Sequence, residues 1–332
     1  MRILAFAAAA ALLAAATFAA PAPARAATAQ PPAGPAPATA SSPALPQAAP
    51  ATGDTGDTDT APPPNPFPTT RFAPGARAAS VTDDGVTATV TMTRMPDIDP
   101  DIDVPVLTVS VGGKVVLEAP GIDSGTNDPA AEASIAEMDP TNGHKEVYFS
   151  SFSGGCCSSV IVAEEVGGEW VSVPIGDFQG DGGYLQDLDG DGLAEIVAID
   201  GNFVNRFDCT ACSAAPRVIY TVKGGNVIDL TTEPRFLSAH RAWLQVLESN
   251  IDPDQQWKSP GYLAGWLGEK IRVGEGAAGW AALNAHWDQA HDVGEPTCPD
   301  GSDAEECDAK DRKVLKFPER LRLFLDGAGY KF

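Results

Sequence analysis

The sequence predicts an α+β protein, a β-rich region followed by a C-terminal helical region. Three observations carry this reading. Alternating β-branched segments separated by glycine pairs run from about Thr82 to Leu230. After Thr231 the apolar spacing lengthens to that of a helix. Before about Thr70 no periodic pattern exists at all.

Arg2 and the apolar stretch from Ile3 to Ala20 precede Ala24-Arg25-Ala26, a small-x-small cleavage pattern. Residues 1–26 therefore read as a signal peptide cleaved near Ala26/Ala27, and Pro21 and Pro23 suit that better than a membrane anchor. Residues 27–70 are rich in Pro, Ala and Thr and nearly devoid of large side chains, so they read as a disordered, semi-extended linker. Later apolar segments are too short to span a bilayer, which places the mature chain in a periplasm or outside the cell, with no transmembrane segment. Removing residues 1–26 takes away Arg2 and Arg25 and no acid, so the formal charge moves from −23 to −25. An acidic surface of that size repels phosphates, which argues against a nucleic-acid partner and favours cations.

The remainder divides into a β-rich domain over 71–232 and a helical region over 233–332 packed on it. Within the first, Gly85–Arg94, Val104–Val111 and Lys114–Ala119 alternate as strands, with Gly112-Gly113 turning the last pair. Further strands are expected at Glu146–Phe152, Ser158–Glu164, Glu169–Val173, Glu195–Asp200, Arg217–Lys223 and Asn226–Leu230. Gly167-Gly168 and Gly224-Gly225 fit hairpin turns. A closed propeller needs about sixteen strands, more than this region supplies. An open sheet or sandwich, or partial propeller-like blades, is the expected form. In the second region Phe236, Leu237, His240, Trp243, Leu244 and Leu247 fall on one helical face, with Asn250 as a stop. Tyr262–Ile271, Ala277–Trp287 and Pro318–Leu325 suggest three more helices.

The six cysteines are even in number and belong to an exported chain, so disulfides are the expectation, with fifteen pairings open. Bridging the neighbours Cys156 and Cys157 would strain the peptide between them, so each is expected to reach elsewhere, with Cys209 and Cys212 as natural partners. Cys298 and Cys307 then close a small acidic loop. A redox C-x-x-C or a four-cysteine zinc site has weaker support from spacing.

The densest chemistry lies in Asp187-Leu-Asp189-Gly-Asp191-Gly192-Leu193-Ala-Glu195. Carboxylates at positions 1, 3 and 5 converge when the chain curls, the Leu193 carbonyl adds an oxygen at position 7, and Glu195 closes the shell at position 9. Hard oxygens in this number match Ca²⁺ better than Mg²⁺. Position 12 is Ala198, which excludes an EF-hand. The segment D-L-D-G-D-G-L-A-E-I-V resembles the calcium loop of FG-GAP or VCBS-type repeats, which occur in β-propellers and exported bacterial proteins. The resemblance covers about 133–231. Asp177-Phe178-Gln179-Gly180-Asp181-Gly182 resembles a second copy, departing at Gln179 and lacking a closing acid. Glu137, Asp139, Asn142 and Glu146 resemble a degenerate third copy with one residue inserted, a weaker candidate site.

No catalytic motif stands out. The four histidines are His144, His240, His286 and His291, and none has metal-pair spacing. Asp97, Asp99, Asp101 and Asp103 alternate in what reads as a solvated loop. No catalytic residue is assigned. The expected function is a non-enzymatic, Ca²⁺-binding structural or interaction module of the periplasm or envelope, engaging a protein or glycan. The alternative is an exported calcium-dependent hydrolase of a glycan or phosphoester.

Overall fold

A computed structural model describes residues 66–332 apart from 73–75, 77, 96–98, 123–130, 181 and 303. The expected signal peptide and most of the expected linker lie outside those residues. A short strand, β1 (Thr69–Arg71), comes first, so Thr69 and Thr70 are strand residues and not spacer.

Three four-stranded antiparallel meanders then follow one another. The first is β2 (Ala78–Asp83), β3 (Val86–Met95), β4 (Asp99–Val111) and β5 (Lys114–Pro120). The second is β6 (Ala131–Ala136), β7 (Glu146–Phe152), β8 (Cys157–Val166) and β9 (Glu169–Gln179), with β1 added beside β6. The third is β10 (Leu185–Gln186), β11 (Glu195–Ile199), β12 (Arg217–Lys223) and β13 (Asn226–Asp229). Gly167-Gly168 and Gly224-Gly225 have positive φ at both residues, the backbone that a two-residue hairpin with right-handed strand twist requires.

The second sheet is the middle layer. From β7, Val147 and Phe149 pack with Val86, Ala88 and Leu107 of the first sheet. On its other face Tyr148 packs with Leu185, Ile196 and Val218 of the third. Every residue of β6 is buried, the polar Glu132 and Ser134 included. The far side of the third sheet meets the helices.

Those helices are α1 (Leu237–Asn250), α2 (Pro260–Arg272), α3 (Gly276–His286) and α4 (Phe317–Gly327), with a small ribbon of β14 (Glu295–Thr297) and β15 (Lys313–Leu315) before α4. The fold is thus α+β in the expected order. Residues 261 to 269 of α2 are all buried. Gly261, Gly265 and Gly268 lie along its face against residues 208–216, where even a methyl group would collide. None of the helices among the described residues is long and apolar enough to cross a membrane.

Two local expectations need correction. Cys156 and Cys157 bond to each other, Cys209 bonds to Cys212, and Cys298 to Cys307. The adjacent pair fits because it sits at the β7–β8 turn, where the Ser153 N–H donates to the Cys157 carbonyl, and residues 209–212 form a tight turn of their own. The aspartate-alternating segment is not a loop from Asp99 on: it opens β4, and Asp103 pairs with Arg94 at 3.1 Å. Asp97 lies outside the described residues.

Candidate metal centre

The loop from Asp187 to Glu195 joins the first two strands of the third meander. Asp187, Asp189 and Glu195 each place an oxygen within 4.8 Å of the others. Two ligands of one Ca²⁺, at about 2.3–2.6 Å each, cannot lie much farther apart than that, so these three fit a shared ion. The curl is built by side-chain to backbone hydrogen bonds. Asp187 accepts the N–H groups of Gly190 (2.8 Å) and Gly192 (3.2 Å), and Asp191 accepts that of Leu193 (2.8 Å). Positive φ at Gly190 and Gly192 lets the backbone turn back on itself.

Glu195 is buried at the start of β11 and accepts the Leu188 N–H at 2.8 Å. Burial, reinforced by the charges of Asp189 and Asp191, pushes its carboxyl up to about 7. Asp191 stands outside the three-oxygen group. Its second oxygen faces Arg235, whose Nη1 lies 3.2 Å from it and 3.0 Å from Asp189 Oδ2. Leu193 is half-buried between Asp191 and the start of β11.

The weaker candidate occupies the same topological place, between β6 and β7. Glu146 opens its strand as Glu195 does, and it accepts the N–H groups of Met138 (2.6 Å) and Asp139 (3.2 Å). Burial pushes Glu146 up to about 7 as well. The interior differs, however. Asn142 donates its side-chain amide to Glu146, and Asp139 is engaged by the backbone and hydroxyl of Thr141. Glu137, Asp139 and Glu146 do not form a convergent group of oxygens; the only other such group among the described residues is Asp208 with Cys209 and Cys212, whose sulfurs are bonded to each other. The Glu137 side chain instead buries one oxygen without a hydrogen-bond partner.

The second sequence copy does not begin as a loop. Asp177, Phe178 and Gln179 end β9, Phe178 stacks on Tyr220 and packs at a tilt against Tyr184 in the core, and Asp181 lies outside the described residues. A strand can bury the phenylalanine, whereas an open loop would expose it.

All three first-to-second-strand connections are acidic, and each is met by a cation from farther along the chain. Lys145 reaches Asp83 at 2.6 Å, Lys223 approaches Asp139 at 3.6 Å, and Arg235 bridges Asp189 and Asp191. The loops also touch: the Ala194 N–H donates to the Glu137 carbonyl at 2.7 Å. Sequence reasoning missed Arg235. Nothing local could have identified it, because it lies beyond the third sheet and meets the loop only in the fold.

The histidines do not converge. His144 pairs with Glu165 at 2.6 Å and His291 with Asp288 at 2.6 Å, while His286 stacks on Trp257. His240 is buried between Glu269 (2.8 Å from Nδ1) and the Thr231 carbonyl (2.8 Å from Nε2). Glu269 in turn accepts the Arg217 N–H at 3.0 Å, tying α1, α2 and β12 together.

Residues 239–329 match the family model described as the sll0997 C-terminal domain, which takes in most of the helical region. The chain is 33% identical over 233 residues to "Probable thylakoid lumen protein sll0997" of Synechocystis sp., covering 68% of each chain. It is 28% identical over 232 residues to "Uncharacterized protein y4bJ" of Sinorhizobium fredii, covering 68% of this chain and 37% of that one. No solved structure matches.

Proposed function

The chain belongs to the sll0997 family, and from that premise we propose that it is an exported calcium-binding module with a structural or interaction role in the periplasm or cell envelope. The convergence of Asp187, Asp189 and Glu195 on one point carries this reading. The donors are hard carboxylate oxygens on a curled loop, the set that Ca²⁺ takes. The lumenal name of the Synechocystis relative supports a destination across a membrane. A likeness to FG-GAP or VCBS-type loops is part of the same proposal. Its support is that the two glutamate-closed loops each join the first two strands of a four-stranded meander.

In this reading the ion ties β10 to β11, and binding adds directly to folding stability. Partners would be a protein or a glycan met on the outer surfaces. Extracellular calcium modules have Kd values of about 10⁻⁴–10⁻³ M, so excess Ca²⁺ at about 100 Kd would add about 2.7 kcal/mol. The test is thermal unfolding of the chain in Ca²⁺ and in EDTA, beside Asp189→Ala. The expected result is a rise of about 5–10 °C with Ca²⁺ that the variant loses. Equal melting with and without Ca²⁺ in the parent would reject the ion.

A further inference from the structure

A second concave site lies where the end of the third sheet meets the helical region. It encloses ≈500 Å³ and is lined by Thr231, Leu237, Ile271, Arg272, Tyr330 and Lys331, among others. Its walls are apolar at Leu237 and Ile271, and of its three charged residues, Glu233, Arg272 and Lys331, two are basic. The chain as a whole carries −23, and several basic groups in the helical region are answered by acids. Lys270 pairs with Glu248 and Glu275, Arg320 with Glu295, and Arg322 with Asp326. Arg272 and Lys331 have no such ion pair among the described residues.

Arg272 lies over the Tyr330 ring at 4.4 Å, and its Nε is buried without an acceptor. Tyr330 is held in turn by its hydroxyl, which donates to Asp200 at 2.9 Å. The acids nearby are already engaged. Glu233 on the cleft wall takes Arg235 at 2.8 Å, and the other oxygen of Asp200 accepts from Asn202. His240 turns both ring nitrogens inward, to Glu269 and to the Thr231 carbonyl. Two cations without acidic partners therefore face a hollow with apolar sides. Such pockets take ligands whose charged head meets the polar group while the body lies on the apolar wall.

We propose that this cleft binds a small organic anion, a carboxylate or phosphate group carried on an apolar body. The site is separate from the calcium loop, and the proposal stands whether or not an ion binds there. The test is an amide NMR titration of the protein with hexanoate, hexyl phosphate, inorganic phosphate and hexanol. Saturable shifts at Gly274 and Gly329, which line the cleft, are expected with hexanoate or hexyl phosphate; the tighter of the two identifies the head group. Inorganic phosphate should bind at least tenfold more weakly and hexanol should not saturate. Arg272→Gln should weaken binding about tenfold. Lys331→Glu, an exposed change that leaves the fold intact, should weaken it several-fold, with the same spectra reporting folding. Shifts that hexanol reproduces, or that Lys331→Glu leaves unchanged in affinity, overturn the proposal, as does the absence of any saturable shift.

Discussion

Replacing Gly265 by Ala tests how α2 is seated. A Cβ on Gly265 would stand 2.2 Å from both the carbonyl carbon and oxygen of Ala214 and 2.6 Å from the Ala215 nitrogen. All three are backbone atoms, so no side chain can rotate away, and the helix must retreat by about 1 Å to restore ordinary contact. Two hydrogen bonds cross this seam: the Ala214 N–H to the Gly261 carbonyl at 3.3 Å, and the Arg217 N–H to Glu269 at 3.0 Å. Overpacking costs about 1–3 kcal/mol, and loosening two hydrogen bonds adds about 1 kcal/mol each. Against this, alanine is the better helix former by about 1 kcal/mol. The net expectation is a loss of about 2–4 kcal/mol. That is a fall in melting temperature of about 10 °C for a domain of this size. Gly327→Ala in α4 is the matched control, because nothing lies within 4 Å of its Cβ position. It should be neutral or stabilise by up to about 1 kcal/mol. Urea unfolding followed by tryptophan fluorescence reads both, with an unchanged m-value confirming that only stability moved. A Gly265→Ala variant as stable as the parent, or a control that falls as far, would refute the steric argument.

Two further perturbations address the buried polar contacts. His240→Ala leaves Glu269 buried without its ring partner and should cost about 3–5 kcal/mol, read as a lower urea midpoint; a change below about 1 kcal/mol would mean the contact contributes little. Glu164 is fully buried in β8 and accepts the N–H groups of Gly224 (2.6 Å) and Gly225 (2.7 Å) from the third sheet's hairpin. Glu164→Ala should cost about 2 kcal/mol, less than two full charged hydrogen bonds because the exposed turn can turn to water. Amide exchange at Gly224 and Gly225 should speed up in that variant while β7 stays protected.

How much of this was legible in advance depended on whether the signal was local. Nine strands and all four helices could be placed, because Thr87–Thr93 alternates, the glycine pairs mark turns, and Leu244 and Leu247 recur at helical spacing. The Asp84-Gly85 turn that closes β2 and β3 carries the same kind of signal and was missed, with φ of 45° and 78°. β6 was missed although Ala131 to Ile135 alternate, because its residues are mostly small and only Ile135 is β-branched, so the strand signal is weak. The spacing of Asp187, Asp189 and Glu195 identified a loop whose oxygens do come together, since nine consecutive residues can close on themselves without help from afar.

Local chemistry therefore determined the order of elements, the turns and the main carboxylate loop, since each depends on residues only a few positions apart. Tertiary structure decided the rest. It bonded Cys156 to Cys157 at a turn, and it absorbed Asp177-Phe178-Gln179 into a strand because Phe178 has a core to enter. It brought Arg235 to Asp189, and it left Arg272 and Lys331 facing a cleft without acids to answer them. These outcomes turn on which charges and apolar groups meet across long stretches of chain, and that is settled only when the sheets and helices pack.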